Sequence, residues 1–140
     1  MVTMTRSRPI RFAGYAGLFD IPDGDRDIIR RGAFKATLAD RAATGRLPLL
    51  WQHRPDQRIG EVEMIAEDER GLRVIARIDS VTSRAADLLR ARAVSGLSFG
   101  YRARDSRILP EGRELRAIDL FEVSLVTRPL QHTARVHLIA

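Results

Sequence analysis

Period-two alternation of apolar and polar side chains recurs along this chain, and it limits the fold more than any other feature. Arg58-Ile-Gly-Glu-Val-Glu-Met-Ile65 and Gly71-Leu-Arg-Val-Ile-Ala-Arg-Ile78 both carry it. Such alternation marks strands with one buried and one wetter face. The polar Ala66-Glu-Asp-Glu-Arg70 between them predicts an antiparallel hairpin. Leu97, Phe99 and Tyr101 alternate with Ser98 and Gly100, and this strand runs on to Leu109. Pro110-Glu-Gly112 then turns the chain into a second long strand, Arg113 to Val126. Arg8 to Phe19 opens the chain as a strand in which Gly14 and Gly17 predict a bulge or close backbone contact. Ile28-Ile29, Leu47 to His53 and Val136 to Ile139 supply shorter strands.

Two segments depart from this period. Gly32-Ala-Phe-Lys-Ala-Thr-Leu-Ala-Asp-Arg-Ala-Ala43 predicts a helix closed by Gly45, with Phe34 and Leu38 facing the core together. Thr82-Ser83 would cap a second helix whose apolar stripe is Ala86, Leu89 and Ala93. About seven half-apolar strands with two helices must share one interior. The expected fold is therefore mainly β with packed helices, a small closed or curled barrel spanning residues 1–140 as one domain.

Composition excludes several function classes. The 140 residues contain no cysteine, so neither a disulfide framework nor thiolate chemistry is available. No apolar run approaches the ~20 residues of a membrane-spanning helix, and Met1 to Arg8 is too polar for a secretory signal. A cytoplasmic location is the default. The net charge is +6, with Lys35 the single lysine among 24 basic residues. Those arginines are spread along the chain, whereas nucleic-acid binding normally needs a patch.

Three positions could carry chemistry. Ser98 shares a strand face with Gly100, so a substrate backbone could approach its hydroxyl without meeting a side chain. In Leu47-Pro-Leu-Leu-Trp-Gln-His53, alternation puts Leu49, Trp51 and His53 on one side, with His53 just before a turn at Arg54-Pro55-Asp56. In Asp119-Leu-Phe-Glu-Val-Ser-Leu-Val-Thr127, Phe121, Val123 and Leu125 share one face, and Glu122 and Ser124 the other. A carboxylate among apolar neighbours needs a partner, which His53 or Arg102 could supply.

Four stretches, in order, resemble the prohead proteases of tailed bacteriophages, capsid maturation enzymes related in fold to the herpesvirus assemblin. They are Gly32-Ala-Phe34, Leu50-Trp-Gln-His53 with Ile59-Gly-Glu-Val62, Gly96-Leu-Ser-Phe-Gly-Tyr101, and Leu120-Phe-Glu-Val-Ser-Leu-Val-Thr-Arg-Pro129. Family members often continue with Pro-Ala-Asn where this chain has Pro129-Leu130-Gln131, and little chain follows the last strand, so no regulatory tail is expected.

The resemblance implies a serine endopeptidase with Ser98 as nucleophile, His53 as general base and Glu122 as the third member. Ser95 is the rival nucleophile, and His132 and Asp119 are rivals for the third place. An oxyanion hole is also required, from Gly96 or from a backbone amide of an arginine-bearing loop. No cofactor or metal is implied. The implied substrates are the major capsid protein precursor and its scaffold segment, cut inside an assembling prohead in the host cytoplasm. Homo-oligomerisation is expected, and membrane or nucleic-acid partners are not. The alternatives are a non-catalytic assembly protein of the same fold and a basic nucleic-acid-binding barrel.

Overall fold

A computed structural model describes residues 9–140, and for 42–44 the backbone alone. The residues before Pro9, including the polar start of the chain, lie outside this range. Among the described residues eight strands form one sheet: β1 Ile10–Leu18, β2 Asp27–Ile29, β3 Pro48–Trp51, β4 Arg54–Glu67, β5 Gly71–Ile78, β6 Gly96–Leu109, β7 Gly112–Val126 and β8 Val136–Ile139. Helix α1, Lys35–Thr44, follows β2, and α2, Arg84–Arg90, follows β5. The mainly β architecture with two helices matches the expectation.

Strand neighbours run β2-β7-β3-β4-β5-β1-β8, and β6 pairs with β7 outside that path. The sheet curls until its ends meet. The Leu97 amide donates to the Ala134 carbonyl at 2.9 Å, and the Val136 amide donates to the Ser95 carbonyl at 2.8 Å. The segment entering β8 therefore touches the start of β6, which limits the exposed sheet edge. Phe12, Phe34, Leu72, Ile78, Leu97 and Leu125 fill the interior and are almost wholly buried.

Glycines in β1 set how closely β6 can approach. A β-carbon at Gly14 would lie 2.8 Å from Leu97 Cδ1, and one at Gly17 would lie 2.9 Å from Phe99 Cε1. Leu97 and Phe99 occupy the room those side chains would have taken, and both β1 pairings shift register beside these glycines. Phe34 closes the cluster edge-on to Phe99, with ring centroids 5.3 Å apart. The inward residues of β6 are thus pinned, and Ser98 between them is turned to the opposite face.

Local readings differ from the structure at three places. Arg54, Pro55 and Asp56 begin β4, and the turn lies one step earlier, at Gln52 and His53. Phe121 does not face the core with Val123 and Leu125 but is half exposed. Gly100 pairs with Glu122 and Tyr101 with Leu120, so Phe121 is the extra residue of a β-bulge. The bulge flips the phase: Ile118 and Leu120 point inward before it, Val123 and Leu125 after it. Helix α2 is capped by Ser83, whose hydroxyl accepts from the Ala86 amide, but it ends at Arg90 and leaves Ala93 exposed.

Candidate active site

Two rungs of the β6–β7 ladder make the floor of the site. Ser98 pairs with Ser124, and Gly100 pairs with Glu122. Directly opposed residues in an antiparallel ladder share a face at roughly 4.5–5.5 Å between Cα atoms. Ser98, Gly100, Glu122 and Ser124 therefore form one small polar tile on a barrel whose other face is apolar.

The β3–β4 hairpin brings His53 over this tile. Trp51 pairs with Arg54, so Gln52 and His53 are the two central turn residues, at φ 53° and 60°. Positive φ at both positions is the signature of a type I′ turn, whose twist suits a hairpin and which normally takes Asn-Gly or Asp-Gly. Non-glycine residues there are strained and need support from their surroundings. That support comes from β7 and the residue that follows it. The Gln52 amide donates to the Leu125 carbonyl at 2.9 Å, and the Thr127 amide donates to Gln52 Oε1 at 3.1 Å. The His53 amide donates to Ser124 Oγ at 3.1 Å.

The imidazole then meets the carboxylate. His53 Nδ1 lies 2.5 Å from Glu122 Oε1, and the Ser124 hydroxyl donates to Glu122 Oε2 at 2.6 Å. A carboxylate only accepts, so Nδ1 carries the proton, and in the neutral ring Nε2 presents a lone pair. The Glu122 hydrogen bond, aided by its charge, raises the His53 pKa above its ordinary value, and burial opposes that rise. Glu122 is 11% exposed and His53 is 41% exposed. The carboxylate is sheltered while the ring remains reachable.

The Ser98 residue is buried, yet its hydroxyl makes no hydrogen bond among the described residues. No fully buried side-chain polar atom among them lacks a partner, so this hydroxyl keeps some contact with solvent. Ser98 and His53 both adjoin Ser124, one across the ladder and the other through its backbone amide.

The profile of a family described as caudovirus prohead serine protease matches residues 2–140. This chain belongs to that family. The Prohead protease of Enterobacteria phage HK97 is 36% identical over 132 residues, covering 89% of this chain and 58% of that protein. A Capsid polyprotein of Pseudomonas phage PAJU2 is 29% identical over 101 residues, covering 64% of this chain and 15% of that protein. The chain therefore spans little more than half of one relative and a small part of the other.

Solved structures agree on the fold. The varicella-zoster virus protease superposes with a TM-score of 0.63 at 20% identity, over 93% of this chain and 64% of that one. The bacteriophage T4 capsid assembly protease gives 0.68 at 12% identity, over 83% and 80%. The family and the herpesvirus-protease-like fold expected from the motifs are thus both found.

The rival residues of this family member have other partners. Asp119 binds Arg102 and Arg104, which also removes Arg102 as a partner for Glu122. His132 is exposed beside Arg135, with Nδ1 3.4 Å from that guanidinium. Ser95 Oγ accepts from Arg135 at 3.3 Å. Gly96 is enclosed, since a β-carbon there would lie 2.6 Å from the Val126 carbonyl oxygen and 2.7 Å from Pro129 Cδ.

Gly100 does not leave an open lane for substrate, contrary to the expectation from sequence. The Glu122 side chain lies across it, where a β-carbon would collide with Oε1. Sequence reasoning placed Ser124 on the right face but missed its role as the clip between Glu122 and the His53 backbone. Its position two residues after a carboxylate on one strand face was the available signal.

Proposed function

We propose that this chain is a serine endopeptidase that cuts scaffold and capsid-precursor segments inside an assembling prohead, with residues 1–140 acting as one protease domain. The observation that carries the reading is the 2.5 Å contact between His53 Nδ1 and Glu122, two residue pairs along the ladder from Ser98. Family membership and the printed names of the relatives, a prohead protease and a capsid polyprotein, support the substrate class.

In this reading His53 Nε2 takes the Ser98 proton as Oγ attacks the scissile carbonyl carbon. Glu122 holds the imidazole in the Nδ1–H tautomer and stabilises the imidazolium that forms. The imidazolium returns the proton to the leaving amine, and the C–N bond breaks to leave an acyl ester on Ser98. Water, deprotonated by the same nitrogen, then hydrolyses that ester and regenerates the hydroxyl. The contact between Ser98 Oγ and Nε2 closes when substrate binds, as catalytic hydrogen bonds in substrate-free proteases often do. Self-association and a location within the prohead complete the reading. Membrane and nucleic-acid partners have no role in it.

Incubating the protein with its own major capsid precursor, then mapping the new termini, tests the proposal. Wild-type protein should generate discrete fragments, and Ser98→Ala should fold normally while processing falls by roughly 10⁴-fold or more. Unchanged processing by Ser98→Ala would remove the nucleophile assignment and direct attention to Ser95. A folded wild-type protein that leaves the precursor intact would favour a non-catalytic assembly role.

A further inference from the structure

A recess lies on the flank of the hairpin that carries His53. It has a volume of about 840 Å³ and sits between the Gln52–His53 turn, helix α2 and the end of β7. Trp51 and Leu88 provide apolar wall, Gln52 and Gln57 provide amides, and Arg54 and Arg84 provide two cations. Among the described residues no carboxylate lines it. Among them, neither the Arg54 nor the Arg84 guanidinium makes a hydrogen bond or an ion pair. Elsewhere many arginines are taken: Arg77 alone meets Glu61, Glu63 and Asp79, and Asp87, one turn from Arg84 on α2, is held by Arg90.

We infer that this recess is a docking site for an acidic peptide segment, with Arg54 and Arg84 receiving its carboxylates and Trp51 and Leu88 receiving its apolar groups. A guanidinium without an internal partner is available for a fork to carboxylate. A peptide suits the recess better than a nucleic acid, which needs a longer cationic track and stacking platforms than two arginines and one tryptophan offer. The segment is assigned to the substrate, away from the bond to be cut, and that assignment rests on the protease reading above. Occupancy would bear directly on catalysis, because Gln52 lines the recess and neighbours His53 in the same two-residue turn.

Trp51 is the single tryptophan of the chain and lines the recess, so a change in its emission that Arg84→Gln weakens reports occupancy there. Full-length protein is titrated with an octapeptide of glutamate, with matched octapeptides of glutamine and of lysine, and with an eight-residue single-stranded oligodeoxythymidylate. The glutamate peptide should give a saturable change in Trp51 emission that weakens as salt screens the charges. Arg54→Gln/Arg84→Gln should weaken that binding by roughly two- to fivefold for each arginine removed. Arg84→Gln alone lies on α2, away from the turn, and should show its share with an unchanged melting temperature.

The inference is overturned if the glutamate peptide gives no saturable response, if the arginine variants bind it as well as wild type, or if the oligonucleotide binds more tightly. In the precursor assay, Arg84→Gln should raise KM and spare kcat. Absence of processing by wild type, with peptide binding intact, would count against the protease reading and leave the recess standing.

Discussion

Gly100 lies directly opposite Glu122 across the β6–β7 ladder, and the Glu122 carboxylate fills the space a β-carbon at Gly100 would need. A glycine between Phe99 and Tyr101 thus serves the orientation of a neighbouring acid. Any other residue there would push Glu122 away from His53.

Gly100→Ala should separate fold from function. The atoms in the way are the far end of a flexible side chain, so the melting temperature should fall by only a few degrees. Displacing the carboxylate by about 1 Å should lower precursor processing by roughly 100-fold. Wild-type processing by this variant would show that the observed Glu122 position is not required.

The pH dependence of Ser98 reactivity should sit high. Glu122 raises the His53 pKa, so neutral His53 should accumulate only above the ordinary value of about 6.5. The rate of Ser98 labelling by a fluorophosphonate, followed across the pH range, should show an acid limb above that value. Glu122→Gln should move the limb down and lower the plateau, because an amide can hold the wrong tautomer. The stability linkage has the matching sign. A raised folded-state pKa stabilises the fold fully below the unfolded pKa, and that increment is lost as pH rises through the folded value. The melting-temperature gap between wild type and Glu122→Gln should therefore narrow from acid to mildly alkaline pH. Identical labelling profiles for the two proteins would contradict this account.

Ser124→Ala removes one donor to Glu122 and the acceptor of the His53 amide. Ser124 is wholly buried, so the cost in stability should be about 1–3 kcal/mol. With His53 at φ 60°, loss of this clip should also relax the turn and slow Ser98 labelling. A lower melting temperature with unchanged labelling would mean that the Gln52 contacts to Leu125 and Thr127 hold the turn by themselves.

Asp27 gives a separate structural test. It is buried, takes two hydrogen bonds from Arg113 at 2.9 Å each, and accepts from the Tyr101 hydroxyl at 2.6 Å. Arg113 lowers its pKa, while burial and Asp27 push the Tyr101 hydroxyl up, so the pair stays ionised acid and neutral phenol. A depressed folded-state pKa contributes stability above the unfolded value of about 3.9, and this is lost as pH falls through the folded one. Asp27→Asn should cost about 2 kcal/mol near neutrality and flatten acid denaturation between pH 4 and pH 2, by roughly the extent linkage requires. Chemical denaturation at neutral and acid pH measures both, and equal stability of the two proteins at neutrality would show that the buried pair is not net stabilising.

Much of the fold was legible because it follows from local pattern. Alternation in Gly71 to Ile78 and Leu97 to Tyr101 marked strands, Gly45 and Ser83 marked helix ends, and the polar stretch after Ile65 marked a hairpin. These signals depend on residues within a few positions of one another, so no knowledge of the partner strand was needed. The candidate catalytic residues were legible through four short motifs in a fixed order.

The arrangement of the site was decided elsewhere. Alternation placed Phe121 with Val123, but a bulge against β6 reverses the phase there, and nothing within β7 itself announces that register shift. Alternation also carried β3 through His53, whereas Gln52 and His53 adopt positive φ because Ser124 and Leu125 on β7 and Thr127 just after it hold them there. Asp119 and Glu122 are three residues apart and chemically alike, yet one meets arginines and the other meets His53. Composition and periodicity determined that this chain forms strands with a polar face bearing Ser98, Glu122 and Ser124. Which carboxylate reaches the histidine was set by long-range strand pairing, because a one-residue slip in a ladder turns every side chain to the other face.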